Sequence, residues 1–125
     1  MILLDTHAYY WFIMDDPHLP ASVKRIIETE EMVFVSSVSF WEMTIKSSLG
    51  KMELPADITA MMSACEEMGI NILLIRASHL GKLLKLPWIH KDPFDRLIIS
   101  QAQDEKMSLV TADENIMKYD VETLW

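Results

Sequence analysis

Four acidic residues, Asp5, Glu42, Asp95 and Asp113, are the side chains in this sequence best suited to chemistry. Carboxylates are ligands for hard cations such as Mg²⁺ and Mn²⁺, which prefer oxygen donors. Several carboxylates held together without a cation repel one another, and some of their pKa values rise. A divalent ion relieves that repulsion and can activate a water for in-line attack on a phosphodiester. A second ion, about 4 Å from the first, can stabilise the leaving oxygen. Such a site needs no histidine, cysteine or serine nucleophile.

Each acid also has a plainer reading. Asp5 and Asp113 are suitable helix N-caps. Ser39 and Glu42 have the spacing of a capping box. Asp92, Pro93 and Asp95 read as N-cap, first and third residues of a helix, where an acid suits the helix dipole. Taken one at a time, the acids leave the choice between cap and ligand open. Taken together they favour ligands, because Ser, Thr or Asn would cap as well, yet acids recur at four places.

The elements that must position them follow from hydrophobic pattern and breakers. Ile2 to Leu4 is a short apolar run, expected as a buried strand that ends at Asp5. Helices are expected over residues 7–15 and 22–29, then a strand over 32–35 followed by a serine cluster. A helix over 40–49 is stopped by Gly50, and Pro55 opens another that runs to about residue 68 before Gly69. A strand over 70–75, a helix over 78–84 and a helix over 93–105 opened by Pro93 come next. A buried strand over 107–110 and a short edge strand over 121–124 complete the chain. Strands alternating with helices imply right-handed crossovers and a parallel sheet. The expected fold is therefore α/β, a three-layer α/β/α sandwich with a central parallel sheet of four to five strands. In such sheets ligands sit beyond the carboxyl ends of the strands. All four acids fall on that side or at a helix N-terminus facing it.

Composition sets the bounds. A chain of 125 residues is expected to form one domain, residues 1–125, with a core that needs no disulfide. The net charge of −8 argues against a protein coated by nucleic acid, since phosphate binding normally uses a basic face. It does not exclude a nuclease, because bound cations bring positive charge to the site. The single cysteine, Cys65, cannot form an internal disulfide, which points to the cytoplasm, and its methionine-rich surroundings indicate buried packing. The apolar N-terminus lacks a basic region, is interrupted by Asp5, and makes a poor signal peptide or membrane span.

Other side chains qualify as helpers. Lys46, four residues after Glu42, is either a helix-face ion pair of about 0.3 kcal/mol or a phosphate contact. Lys51 and Arg96 are weaker phosphate candidates. Thr6 and Thr111 flank the acids, and either hydroxyl can bond to another acid, to water at the site, or to the local backbone. His7 and His90 lack the partners of a zinc site and read as surface or substrate-side residues. Tyr9, Tyr10, Trp11 and Phe12 span more than one buried face, so part of that run suits an interface. Met61, Met62 and Met68 suit core packing, or a groove for a partner helix.

In four stretches the chain resembles the PIN-domain ribonucleases, specifically the VapC-like toxins of type II toxin–antitoxin pairs. The stretches are LLDTHAYYWF, SVSFWEMTIKSSLGKMEL, HKDPFDRLIISQA and LVTADENIMKY, which occur in the family's order across nearly the whole chain. The resemblance implies a PIN-like sandwich and Mg²⁺- or Mn²⁺-dependent endoribonuclease activity, with Asp5, Glu42, Asp95 and Asp113 as catalytic and metal-binding acids. Lys46 matches a position that is often basic in this subgroup. Also implied are an RNA substrate, a small cognate antitoxin whose segment enters the active-site groove, and a homodimer. Rival readings fit less well. An aspartate-nucleophile phosphatase wants a second Asp where His7 stands. A receiver domain wants an acidic pair after the first strand and a lysine after Val110. A PIN-like module that binds RNA or a partner without cleaving stays open.

Overall fold

The computed structural model describes residues 1–125. Its elements in chain order are β1 (Ile2–Leu4), α1 (Thr6–Ile13), α2 (Ala21–Thr29), β2 (Val33–Ser36), α3 (Ser37–Ser48) and α4 (Ile58–Glu67). There follow β3 (Ile70–Leu73), α5 (Ala77–Leu84), α6 (Pro93–Glu105), β4 (Ser108–Val110), a 3₁₀ turn at Ile116–Lys118 and β5 (Thr123–Leu124). The five strands form one sheet in the order β3-β2-β1-β4-β5, and every pairing is parallel. Helices cover both faces, so the α/β/α expectation holds with five strands.

The strands alternate strictly. Ile2, Leu4, Val33, Val35 and Val110 face one layer, where they meet Tyr9 of α1, Val23 and Ile27 of α2, Met43 of α3 and Cys65 of α4. Leu3, Leu73 and Leu109 face the other, against Ile98, Ile99 and Ala102 of α6 and Ile116 of the 3₁₀ turn. This period of two, buried on both sides, is why the short apolar runs read as central strands. Helix α5 packs on α6 at the outside of the second layer. No helix is long and apolar enough to cross a membrane.

Element boundaries differ from expectation where capping residues intervene. Helix α3 begins at Ser37, directly after β2, because the Ser36 side chain accepts from the Val38 amide. The serine cluster thus forms the cap and first turn of the helix. Helix α4 begins at Ile58, capped by Asp57 through the Ala60 amide, so Pro55 lies before it rather than in its first turn. Gly50 and Gly69 follow α3 and α4 with φ of 70° and 80°, a region that L side chains avoid.

Strand order also fixes where a ligand can sit. From β1 the chain moves outward through β2 to β3, then returns to the other side of β1 as β4. The crevice at this reversal opens beyond the carboxyl ends of β1 and β4. Asp5 follows β1, and Thr111 to Asp113 follow β4.

Candidate metal centre

Asp5 continues β1 by one residue, its amide donating to the Val110 carbonyl across the sheet at 3.1 Å. It is also the N-cap of α1, with Oδ1 accepting from the Ala8 amide at 2.8 Å. Capping engages one oxygen, so the cap and ligand readings are compatible at this residue. Burial pushes its carboxyl pKa upward, opposed by the Thr111 hydroxyl and the Ala8 amide, while Asp113 adds to the rise.

Glu42 is buried in the second turn of α3, too far along the helix to cap it. The expected capping box does not form, because Ser36 caps in place of Ser39. Instead Glu42 is held from both sides. Thr6 Oγ1 lies 2.6 Å from Glu42 Oε1 and 3.0 Å from Ser39 Oγ. A hydroxyl has one proton, and the carboxylate is the better acceptor, so Thr6 donates to Glu42 and Ser39 donates to Thr6. Lys46 Nζ lies 2.9 Å from the other oxygen, Oε2.

Asp95 is the third residue of α6. Asp92 caps that helix, its Oδ1 accepting from the Phe94 and Asp95 amides at 2.9 and 3.0 Å. The Asp95 carboxylate is therefore free of capping, and its Oδ2 lies 3.2 Å from His90 Nε2. Burial pushes its pKa up to about 7; His90 pulls it down, and Asp92, Asp113 and Glu42 push it further up. Asp113 sits in the loop after β4 and caps no α-helix. Its amide donates to Thr111 Oγ1 at 3.0 Å, and its Oδ1 accepts from the Asn115 amide at 2.8 Å.

Asp113 thus adds to the raised carboxyl pKa of both Asp5 and Asp95, and Glu42 adds to that of Asp95. A cleft of about 210 Å³ lined by Asp5, His7, Trp11, Ala112 and Asp113 gives access from one side. An all-oxygen donor set, partly desolvated and mutually repelling, fits a hard divalent cation. The closest grouping of potential ligand atoms lies elsewhere, at His79, Asp104 and Glu105, all within 4.8 Å. There His79 Nδ1 accepts from the Arg76 amide at 3.0 Å, which leaves the ring proton on Nε2, 2.8 Å from Glu105 Oε1. That trio is a neutral histidine tying α5 to the end of α6. The wider spacing of the four acids suits a cation that keeps part of its water shell, as Mg²⁺ commonly does.

The PIN domain family model matches residues 2–122 of the chain. The chain belongs to the PIN domain family. Within the family it is 24% identical over 119 residues to ribonuclease VapC22 of Mycobacterium tuberculosis, covering 94% of this chain and 91% of that one. Among solved structures, VapBC2 from Rickettsia felis bound to a promoter DNA fragment superposes with a TM-score of 0.74 at 17% identity, covering 99% and 98% of the two chains. A toxin–antitoxin complex from Klebsiella pneumoniae does so with a TM-score of 0.67 at 16% identity, covering 100% and 97%.

Two expected helpers of this PIN domain stand in other roles. Arg96, a candidate phosphate contact, is buried at 3% exposure. Its guanidinium donates to the Pro87 and Leu86 carbonyls at 2.7 and 3.2 Å and to Tyr119 Oη at 3.1 Å, with the Trp88 ring stacked 3.8 Å away. Its bonds tie the turn at Leu86 and Pro87 to Tyr119, a structural role rather than that of a free phosphate contact. Lys51 is exposed on the turn after α3. His7 is exposed at the cleft, as a surface histidine should be. His90 is not simply on the surface: it contacts Asp95 and Tyr119, an environment that its sequence context, HKDPFD, did not reveal. Its place five residues before Asp95, across a proline turn, was the one available signal.

Proposed function

We propose that this PIN domain is a divalent-metal-dependent endoribonuclease, the toxin of a toxin–antitoxin pair acting in the cytoplasm. The observation that carries this reading is that acids from four separate segments gather at the sheet's switch point, where Asp113 and Glu42 add to the raised carboxyl pKa of Asp95 and Asp113 to that of Asp5. Asp5, Asp95 and Asp113 would hold Mg²⁺ or Mn²⁺, with Glu42 at the edge of the set. A cation held there would supply charge neutralisation at the scissile phosphate and Lewis acidity toward a water nucleophile, the chemistry of hydrolysis to a 5′-phosphate and a 3′-hydroxyl. Thr6 keeps Glu42 oriented, and Thr111 supports Asp5. Lys46, 29% exposed, would turn from Glu42 to a phosphate oxygen when a cation takes over the carboxylate's charge.

A cognate antitoxin is proposed as partner because the matched solved structures include toxin–antitoxin complexes. A homodimer is proposed because Leu80 and Leu84, one turn apart on α5, and Trp88 beyond it are 50%, 86% and 79% exposed, an apolar surface in want of cover. The alternative is a PIN domain that binds RNA or a partner without cleaving. Incubating the purified chain with total RNA and Mg²⁺ or Mn²⁺ separates the readings. Cleavage that EDTA and Asp5→Asn both abolish is expected; RNA bound but never cut under any divalent ion would favour the module.

A further inference from the structure

His90, Tyr119 and Arg96 form a connected set that ends on Asp95. Tyr119 Oη has three nitrogen neighbours: the His90 backbone amide at 3.1 Å, Arg96 Nη1 at 3.1 Å and His90 Nδ1 at 2.8 Å. The amide and the guanidinium can only donate, and together they fill both lone pairs of the phenol oxygen. The phenol's own proton then has one possible acceptor, Nδ1. A ring nitrogen that accepts carries no proton, so in the neutral imidazole the proton is on Nε2. That nitrogen faces Asp95 Oδ2 at 3.2 Å. The opposite tautomer gives Tyr119 a third donor, and it sets a bare Nε2 lone pair against the oxygen of an ionised Asp95, the form that binds a cation.

We infer that Tyr119 and Arg96 lock His90 as its Nε2–H tautomer, so that His90 orients the Asp95 carboxylate for a divalent cation. His90 and Tyr119 are positioning residues, and His90 is not itself a ligand, because its one outward nitrogen is spent on Asp95. Metal-binding carboxylates are commonly fixed by such outer partners. The arrangement rests on the proposed metal centre for its purpose, but not for its geometry. It also joins two acid-bearing segments. Tyr119 closes the stretch that starts at Asp113, and His90 opens the turn into Asp95. Arg96, the residue after Asp95, holds the phenol from below through a guanidinium already fixed by two carbonyls.

Long-range ¹H–¹⁵N NMR of the metal-free protein reads the tautomer directly, and Mn²⁺ titration by EPR reads its consequence. The Nε2–H form is expected for His90 in the wild type, and a mixed or Nδ1–H form in Tyr119→Phe. Mn²⁺ binding should weaken by about 10–100-fold in Tyr119→Phe and His90→Leu. His90→Gln, whose amide nitrogen can occupy the place of Nε2, should recover most of the affinity. A wild-type Nδ1–H tautomer would overturn the inference regardless of how the variants fold. So would wild-type Mn²⁺ affinity in both Tyr119→Phe and His90→Leu. If the wild type shows the Nε2–H form but binds no Mn²⁺, the metal centre itself fails, and with it the orienting role, while the tautomer lock stands.

Discussion

Glu42 shows most clearly what a single residue's surroundings decide. Its spacing from Ser39 matched a capping box, and its spacing from Lys46 matched a helix-face ion pair. The box does not form, because the helix starts three residues earlier, whereas the ion pair does. The stronger determinant was invisible in the sequence: Thr6, 36 residues away, donates at 2.6 Å. Removing that donor leaves a buried carboxylate oxygen short of a partner, which costs about 1–3 kcal/mol. Thr6→Val should lower the urea midpoint of the metal-free protein accordingly, and Thr6→Ser should restore most of it. Lys46→Gln removes a competitor for Oε2, so Mg²⁺ affinity should rise by up to about fivefold, while KM for RNA increases. A fall in both affinities would place Lys46 in a purely structural role.

At the scale of elements, strand pattern was the readable part and helix starts were not. Ile2–Leu4 and Ser108–Val110 could be placed because both faces of each strand are largely buried, so neighbouring positions are apolar apart from Ser108. The start of α3 could not, because three serines within four residues all cap adequately and only tertiary contact chooses among them. The turn into α6 was read correctly as Asp92, Pro93 and Asp95 in cap, first and third positions. That division of labour matters for the site: Asp92 binds the helix amides so that Asp95 need not. Asp92→Ala should cost about 1–2 kcal/mol in global stability. Asp95 would then be drawn toward the orphaned amides, so Mg²⁺ affinity should fall as well. Asp92→Ser, which still caps, should spare both, as urea unfolding with and without Mg²⁺ would show.

For the whole molecule, the acids make stability depend on pH in a defined direction. The Asp95 carboxyl has a folded pKa of about 7 against an ordinary 3.8, and that of Asp5 is raised too. Between those values the folded chain holds protons that the unfolded chain has released. Stability of the metal-free protein is therefore greatest below the unfolded value and falls as pH rises toward 7. A cation replaces the missing protons, so Mg²⁺ should raise Tm more at pH 8 than at pH 5.5. Equal shifts at the two pH values would mean that the ion binds away from these carboxyls. The sequence made the parallel sheet legible, and the elements that carry the four acids, because these depend on periodicity and chain order. It did not reveal the fate of Arg96 or His90, because their partners, Pro87 and Leu86 carbonyls and the Tyr119 phenol, meet only in the folded chain.

The metal centre itself is tested most directly by Mn²⁺ binding, followed by EPR at neutral pH, across two sets of variants. Asp5→Asn and Asp95→Asn should each weaken binding by at least about tenfold, since each removes a proposed ligand of a hard cation, and Asp104→Asn at the closer-packed His79 trio should leave it unchanged. Binding lost in Asp104→Asn but kept in Asp5→Asn and Asp95→Asn would place the metal at the wrong end of the sheet for this chemistry and contradict the assignment.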